Sequence, residues 1–511
     1  MTAHVIRGDA RCLPLPDESV DLIVTSPPYW AQRSYQDDGE HYAGQIGDED
    51  DPRAYVRDLL GCVEEWTRVL KPTGSIFVNL GDKYGERAGP GRAAGEDQDH
   101  PHYRKATRPR RRQAEGVRPK SLILLPERFR IGCVDELGLI ARQVVVWDKP
   151  NPTPESVGDR PRRSHEDWVH LVKQPRYYSA MDELREPYDA ATAKRYALGY
   201  NDRAIDTERL TVNTKLGGDA YDENPLGKLP GSVWRVATEP LIVPDVSPLD
   251  GRPLPKHFAA FPTEWPRRFV LGFSPSGICL ECGEGRRPAV EARRTLDGAP
   301  ASGSWQTDAR SVGPQGVGHW RYATSRTRVG EVCGCNEPIG TPLGRRGGDD
   351  PTLETGRAGF NRDRAPDAGR RVITRHEQRH YAAQLRAHPN REYLRREAGA
   401  DAFDHYVRTD RTGARAIPPA LLEEWLAVGV LEEPPSYVPA STRPAVVVDP
   451  FGGTGTVALV ADVLGRIGIS GDLSHDYGRL ARWRTTNPGE RARAMRVDKP
   501  PVQVSDQAAL W

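Results

Sequence analysis

Short apolar runs alternate with stretches of helical character along this chain, and that alternation predicts an α/β, doubly wound sheet. Two of the runs end in turn sequences, and ligands in such sheets gather at the carboxyl ends of the strands. One is Asp21-Leu-Ile-Val24, which leads into Thr25-Ser26-Pro27-Pro28-Tyr29-Trp30. The other is Ala445-Val-Val-Val-Asp449, which leads into Pro450-Phe451-Gly452-Gly453-Thr454-Gly455-Thr456. They lie near opposite ends of the chain, yet the fold class lets both face one pocket.

The strands expected are Val5-Ile6, Leu22–Val24, Ser75–Val78, Val144–Val146, Val446–Val448 and Ile467–Ile469. After the second, two prolines forbid both a helix and a continuing strand, so the chain must turn rigidly. Such a turn suits a flat aromatic substrate. Its stiff backbone offers carbonyl acceptors, Ser26 a hydroxyl and Tyr29 a face for stacking. Trp30 either adds to that surface or packs beneath the turn. A lone Pro-Pro-Tyr is commonly a surface turn, so the second motif carries weight. There the glycines let the backbone approach a ligand, and the helix that follows begins with free N–H groups. Gly452, Gly453 and Gly455 lack the dinucleotide spacing. Asp449, at the strand end, suits an ammonium better than a pyrophosphate. Ile467-Gly-Ile-Ser-Gly-Asp472 is a further short strand ending in an acid, of the kind that binds ribose hydroxyls. A ligand with a ribose and an amino acid but no phosphate is described, and S-adenosylmethionine fits.

Taken together, the two ends resemble the amino-methylating DNA methyltransferases, which modify cytosine N4 or adenine N6. The order is the permuted, beta-type one, with the catalytic motif ahead of the cofactor motif. Similar stretches include Gly8-Asp9-Ala10, Trp66 to Asp82, Trp147 to Ser156 with His165-Glu166, and His257-Phe-Ala-Ala-Phe261-Pro262. The resemblance implies a Rossmann-like, mostly parallel seven-stranded sheet with one reversed strand. It implies catalysis by Ser26, Pro27, Pro28 and Tyr29. Around the cofactor it places Asp9, Phe261, Asp449, Phe451, Gly452, Gly453, Gly455, Thr456 and Asp472. Asp82 and Glu166 fall in matched stretches without an assigned role, and Lys149 and Asn151 are candidates for lining the base or DNA channel.

Methylation at cytosine C5 needs a cysteine thiolate, usually from a Pro-Cys pair, and the chain has no Pro-Cys. An exocyclic amine can attack the methyl directly once hydrogen bonds to Ser26 and the Pro27 carbonyl free its lone pair, with orientation supplying much of the acceleration. The base must be flipped to be reached. Serine at the head of the tetrapeptide is more typical of the cytosine-N4 enzymes, so that base is favoured. Adenine N6 is the alternative, and a non-catalytic DNA-binding or zinc scaffold with a degenerate methylase core is the alternative of another class.

With 511 residues the chain predicts two or three domains. It is 28% charged, with 50 glycines and 45 prolines, which suggests a soluble protein with long loops or insertions. No apolar run is long enough to span a membrane and Met1-Thr-Ala-His is not a signal, so a cytoplasmic protein without a membrane partner is expected. The expected partners are DNA and a restriction endonuclease. Net charge is only +1, but Pro101–Lys120 holds eight Lys or Arg against one acid. That basic loop, within 85–119, is either a solvated insertion or an arm for DNA phosphates.

Seven cysteines, odd in number and scattered, fit a reducing compartment. Cys279 with Cys282 and Cys333 with Cys335 can close a structural zinc site, the other reading being four reduced thiols. Cys12, Cys62 and Cys133 are expected to be buried. The organisation expected is a catalytic half at 1–180, a target-recognition region at 181–256 and a cofactor-supporting segment at 257–278. An inserted zinc-containing helical module at 279–440 and an S-adenosylmethionine-binding half at 441–511 complete it. Within the insertion, helices are expected at Arg375–Arg396, charged and exposed, and at Pro418–Gly429.

Overall fold

A computed structural model describes residues 3–31, 36–37, 40–41, 44–85, 117–152, 154–155, 157–189, 228–255, 260–296, 322–333, 335, 375–408, 416–434 and 440–497. Residues 86–116, which include most of the basic loop, and residues 256–259 lie outside them.

In chain order the strands are β1 (Ala3–Arg7), β2 (Val20–Thr25), the two-residue β3 (Gln36–Asp37) and β4 (Glu40–His41), β5 (Leu70–Leu80), β6 (Ile140–Asp148) and β7 (His165–Val172). They continue with β8 (Val233–Arg235), β9 (Ile278–Cys279), β10 (Arg287–Leu296), β11 (Tyr322–Val332), β12 (Thr442–Arg443), β13 (Val446–Asp449) and β14 (Ile467–Asp472). All six expected strands are present. The main sheet has the order β1-β14-β13-β2-β5-β7-β6-β8. Pairing is parallel except where β7 lies antiparallel between β5 and β6. The seven-stranded sheet with one reversed strand is therefore there, and the three-residue β8 extends it at the edge.

Central position explains why β2 reads as one apolar run. Every residue of Val20–Thr25 is buried, as in parallel strands covered on both faces. Its one acid, Asp21, bonds Lys71 Nζ at 2.5 Å and accepts from the Val446 N–H at 2.9 Å. A buried acid needs such partners, and this one ties β2 to the start of β13.

Helices cover the sheet. α1 (Pro52–Val69) opens on a proline and buries Tyr55, Leu59, Val63 and Trp66 against it. α2 (Leu125–Asp135) is capped by Asp82, whose oxygens accept from the Leu124 and Leu125 N–H groups at 3.1 Å each. That acid is a helix cap. α3 (Glu264–Phe273) sets Trp265, Phe269 and Phe273 into an aromatic layer with Phe77, Trp168 and His170. Phe77 stacks on Phe269 at 4.0 Å and on His170 at 4.2 Å. Burial holds His170 down to about 3, so it is a neutral ring whose Nε2 bonds Ser75 Oγ at 3.1 Å.

The expected helix Arg375–Arg396 is broken. α4 (Arg375–Ala387) and α5 (Arg391–Glu397) are separated around Pro389, which cannot continue a helix. Nor is it an exposed helix: Tyr381, Leu385 and Leu394 join Phe403 of α6 (Ala400–Tyr406) and Trp425 of α7 (Pro419–Ala427) in a small apolar core. Three helices finish the chain, α8 (Thr456–Val463), α9 (His475–Thr486) and α10 (Pro488–Met495). No helix among the described residues is long and apolar enough to cross a membrane.

The chain divides into two compact units. One comprises Met1–Ala180, Gly231–Arg286 and Cys333–Trp511; the other comprises Met181–Pro230 and Arg287–Val332, and holds the antiparallel pair β10–β11. The segments expected as 181–256 and 279–440 are thus each divided between the two units. Cys62 and Cys133 are buried, with thiols pushed up to about 12 by burial, whereas Cys12 is exposed, contrary to expectation.

Replacing Phe269 with alanine removes the centre of the aromatic layer. Phe269→Ala should lower stability by about 3–5 kcal/mol, read from guanidinium unfolding followed by tryptophan fluorescence. A loss below about 1 kcal/mol would contradict this packing.

Candidate active site

A cavity of about 510 Å³ opens where β1, β2, β13 and β14 end. Asp9, Ser26, Pro27, Pro28, Tyr29, Phe261, Asp449, Phe451, Gly452, Gly453, Thr456 and Asp472 line it. The motifs from the two ends of the chain share one site because β2 and β13 are neighbours, Leu22 opposite Val447 and Ile23 opposite Val448. One residue beyond that register, Thr25 Oγ1 donates to Asp449 Oδ1 at 2.6 Å.

Asp449 is the buried acid of the site. It also accepts from the Phe451 N–H at 3.1 Å, yet burial pushes its carboxyl up to about 7, the charge of Asp472 adding to the rise. Asp472 holds the glycine turn: Oδ2 accepts from the Gly453 N–H at 2.9 Å and Oδ1 from the Ser474 N–H at 2.8 Å. Gly452 has to be glycine, since a Cβ there would stand 2.0 Å from Ser470 Oγ. Gly455 does not line the cavity. It caps α8 at φ +72°, and its missing Cβ makes room for Ala481 on α9, so it serves helix packing.

Beneath the turn lies Arg484, 2% exposed, donating to Thr454 Oγ1 at 2.9 Å and Thr456 Oγ1 at 2.6 Å and pairing with Glu490 at 3.0 Å. At the cavity rim the Arg11 guanidinium, 2.7 Å from Asp9, holds that carboxyl below its usual range. Phe451 meets Trp66 edge-on at 5.9 Å, and Phe261 meets Trp168 edge-on at 5.5 Å.

Tyr29 is held at three points. Its hydroxyl lies 2.8 Å from Asn79 Oδ1 and 3.0 Å from Glu166 Oε2, and its ring edge packs on Gly81, where a Cβ would come within 2.7 Å. Burial, reinforced by the Glu166 charge, raises its phenol well above the ordinary value. Glu166 in turn pairs with Lys149. Trp30 packs beneath the turn, 1% exposed, with Nε1 donating to the Glu49 carbonyl at 2.8 Å. Lys149 lines the cavity, whereas Asn151 is not among the lining residues and bonds Thr238 Oγ1 at 2.8 Å.

Asn79, Glu166 and Glu239 are lining residues that sequence reasoning gave no role. Glu239 accepts from both the N–H and Oγ1 of Thr263 at 2.8 Å, fixing the start of α3 beside the cavity. Only the His165-Glu166 pair carried a signal, and nothing local distinguished it from surface acids.

Away from the cavity, the four sulfurs of Cys279, Cys282, Cys333 and Cys335 lie within 4.8 Å of one another, three of the residues buried. Tetrahedral zinc with bonds of about 2.3 Å spaces its sulfurs by about 3.8 Å. The Cys279–Cys335 separation is 3.9 Å. Gly283, at φ +71°, turns the first pair back so that its N–H reaches the Cys279 carbonyl at 2.9 Å. The donor set and its spacing fit a structural zinc ion.

The family model of the N6/N4 DNA methylases matches residues 20–279. The chain belongs to that family. It is 32% identical over 283 residues to the type II methyltransferase M.SmaI of Serratia marcescens, covering 55% of this chain and 78% of that protein. It is 33% identical over 277 residues to M.Cfr9I of Citrobacter freundii, covering 54% of this chain and 74% of that one. Among solved structures, the cytosine-N4-specific PvuII DNA methyltransferase aligns with a TM-score of 0.32 at 16% identity, over 54% of this chain and 72% of its own. The protein is thus an S-adenosylmethionine-dependent DNA methyltransferase that acts on exocyclic amines.

Arg484→Met should cost about 1.5–3 kcal/mol, because it removes one of the two arginines that pair with buried Glu490, Arg493 remaining at 3.2 Å, and leaves Thr454 and Thr456 without their donor. Thermal unfolding of the purified variant measures this, and a melting point unchanged from the wild type would count against the buried pair.

Proposed function

We propose that this enzyme flips one base out of duplex DNA and methylates its exocyclic amine, with cytosine N4 as the favoured target. The observation that carries the reading is the convergence of the Ser26–Tyr29 turn and the Asp449–Gly453 turn on one cavity. Ser26 and the Pro27 carbonyl accept the amine's hydrogens, Pro28 stiffens the turn, and the anchored ring of Tyr29 is the stacking platform. Ser26, rather than an acid, at the head of the tetrapeptide supports cytosine over adenine.

The cofactor lies on the other side of the same cavity. Asp449 serves the ammonium and Asp472 the ribose hydroxyls. Asp9 lies towards the adenine, and Phe261 and Phe451 supply apolar walls. The backbone at Gly452 and Gly453 and the start of α8 at Thr456 border the methionine end. S-adenosylmethionine supplies the electrophilic methyl; the residues of the chain orient the amine towards it and exclude water.

Two outcomes follow. Nucleosides from DNA treated with methyl-labelled S-adenosylmethionine should carry label in N4-methylcytosine, and Ser26→Ala with Tyr29→Ala should abolish it. Label in N6-methyladenine would overturn the base assignment. Cofactor affinity should also depend on pH. A cationic ligand binds the ionised form of Asp449, whose free pKa is about 7, so affinity weakens as the pH falls below that value. The weakening approaches about tenfold per pH unit. Titration calorimetry from acid to mildly alkaline pH reads it, and Asp449→Asn should bind weakly with a flat profile. A flat wild-type profile would rule out the ammonium role.

Cys279, Cys282, Cys333 and Cys335 hold zinc on this reading. Metal analysis should find one zinc per chain, lost in a Cys282→Ser, Cys335→Ser variant. Metal-free protein with four titratable thiols would contradict it. The relatives' designation as type II methyltransferases supports a modification role beside a restriction endonuclease. Target recognition falls to the region 181–256.

A further inference from the structure

Three oxygen atoms crowd the phenol of Tyr29. Its Oη is 2.8 Å from Asn79 Oδ1 and 3.0 Å from Glu166 Oε2, and the Ser26 hydroxyl hydrogen-bonds the same phenol. Asn79 cannot turn its amide round, because its Nδ2 donates to the Asp167 carbonyl at 3.1 Å. Its oxygen therefore faces Tyr29. With Glu166 ionised, the asparagine and the carboxylate both require a donated hydrogen, and the phenol has one. The cluster has an open place for one more proton, between Tyr29 and Glu166.

Methyl transfer to an exocyclic amine makes such a proton. When the N–C bond forms and the sulfonium S–C bond breaks, the amine nitrogen is left positively charged with one hydrogen too many. Ser26 can receive it, because its hydroxyl donates towards Tyr29 and keeps its lone pairs for the cavity.

We infer that Glu166 is the terminal acceptor of the amine proton, reached through the hydroxyls of Ser26 and Tyr29. This rests on the amino-methylation reading above. The amine N–H passes to Ser26 Oγ as the Ser26 proton moves to Tyr29 Oη and the Tyr29 proton to Glu166 Oε2. One N–H bond breaks, one Oε2–H bond forms, and both hydroxyls end as they began. The positive charge lost by the cofactor cancels the negative charge lost by Glu166, so the cavity gains no net charge. Lys149 completes the device. Its ammonium pairs with Glu166 Oε1 and lies 4.2 Å over the Trp147 ring. Neutral Glu166 leaves that ammonium without its anion, which favours release of the proton when product departs. All of these side chains except Asp167 line the cavity.

Glu166→Gln tests the relay, since glutamine keeps the shape and the contact with Tyr29 but cannot take up a proton. Single-turnover methyl transfer would be followed by rapid quench, with methyl-tritiated S-adenosylmethionine and unmethylated DNA of diverse sequence, across a range of pH. The rate should fall by about a hundredfold or more, with cofactor and DNA affinities within about threefold of wild type and the acid limb of the pH profile lost. A rate within threefold of wild type overturns the relay. So does a loss matched by weaker binding with the acid limb intact, since that is a structural role. If Glu166→Gln does not fold, Tyr29→Phe reads the same path, because it keeps the ring and removes the hydroxyl. A wild-type rate in that variant overturns it equally. Wild-type protein that labels no base amine would instead sink the amino-methylation reading itself.

Discussion

Everything in the site depends on β2 and β13 lying side by side. Their parallel register sets the end of one strand level with the end of the other, and the Thr25–Asp449 hydrogen bond of 2.6 Å joins the two turns at that point. Neither motif is a site alone. Each turn supplies only part of the wall of the shared cavity. Asp21 reinforces the same seam from the opposite end of the strands through Val446. A slip by one residue would send each side chain to the other face of the sheet, so the fold specifies this register at both ends.

The cofactor side is built from charges that are costly to bury and therefore closely partnered. Asp472 is satisfied by backbone N–H groups of the turn that it shapes, Arg484 by two threonines and Glu490. Asp449 differs: two hydrogen bonds do not offset its burial, and its carboxyl sits near neutrality. A perturbed acid in a cleft is the kind of group that functional sites hold.

Much of this was legible in the sequence, and the reason is range. Strands such as Leu22–Val24 and Val446–Val448 announce themselves by local composition, and the two turns by prolines and glycines whose conformational limits are intrinsic. β7 was less visible because it opens on His165-Glu166-Asp167 and carries His170 in its apolar half. His170 turns out to be a neutral ring within the aromatic layer. Gly455 looked like a ligand contact because it belongs to the glycine cluster, but only the position of Ala481 reveals its use. Asn79, Lys149 and Glu166 come from three different strands or strand ends and meet only around Tyr29. No spacing along the chain encodes such a meeting.

The sheet order has a consequence for synthesis. β1 and β2 are each made long before the strand that lies beside them, β14 or β13. Until those strands emerge, the fully buried strand β2 has one open flank and the tyrosine turn has nothing opposite it. Contacts of such long separation close slowly, and an exposed edge of this kind invites wrong pairing. A growing chain thus carries the Ser26–Tyr29 turn long before the Asp449–Gly453 turn that faces it across the cavity. The cavity closes only when β13 and β14 have joined the sheet, so a chain cut short before them lacks one wall of it.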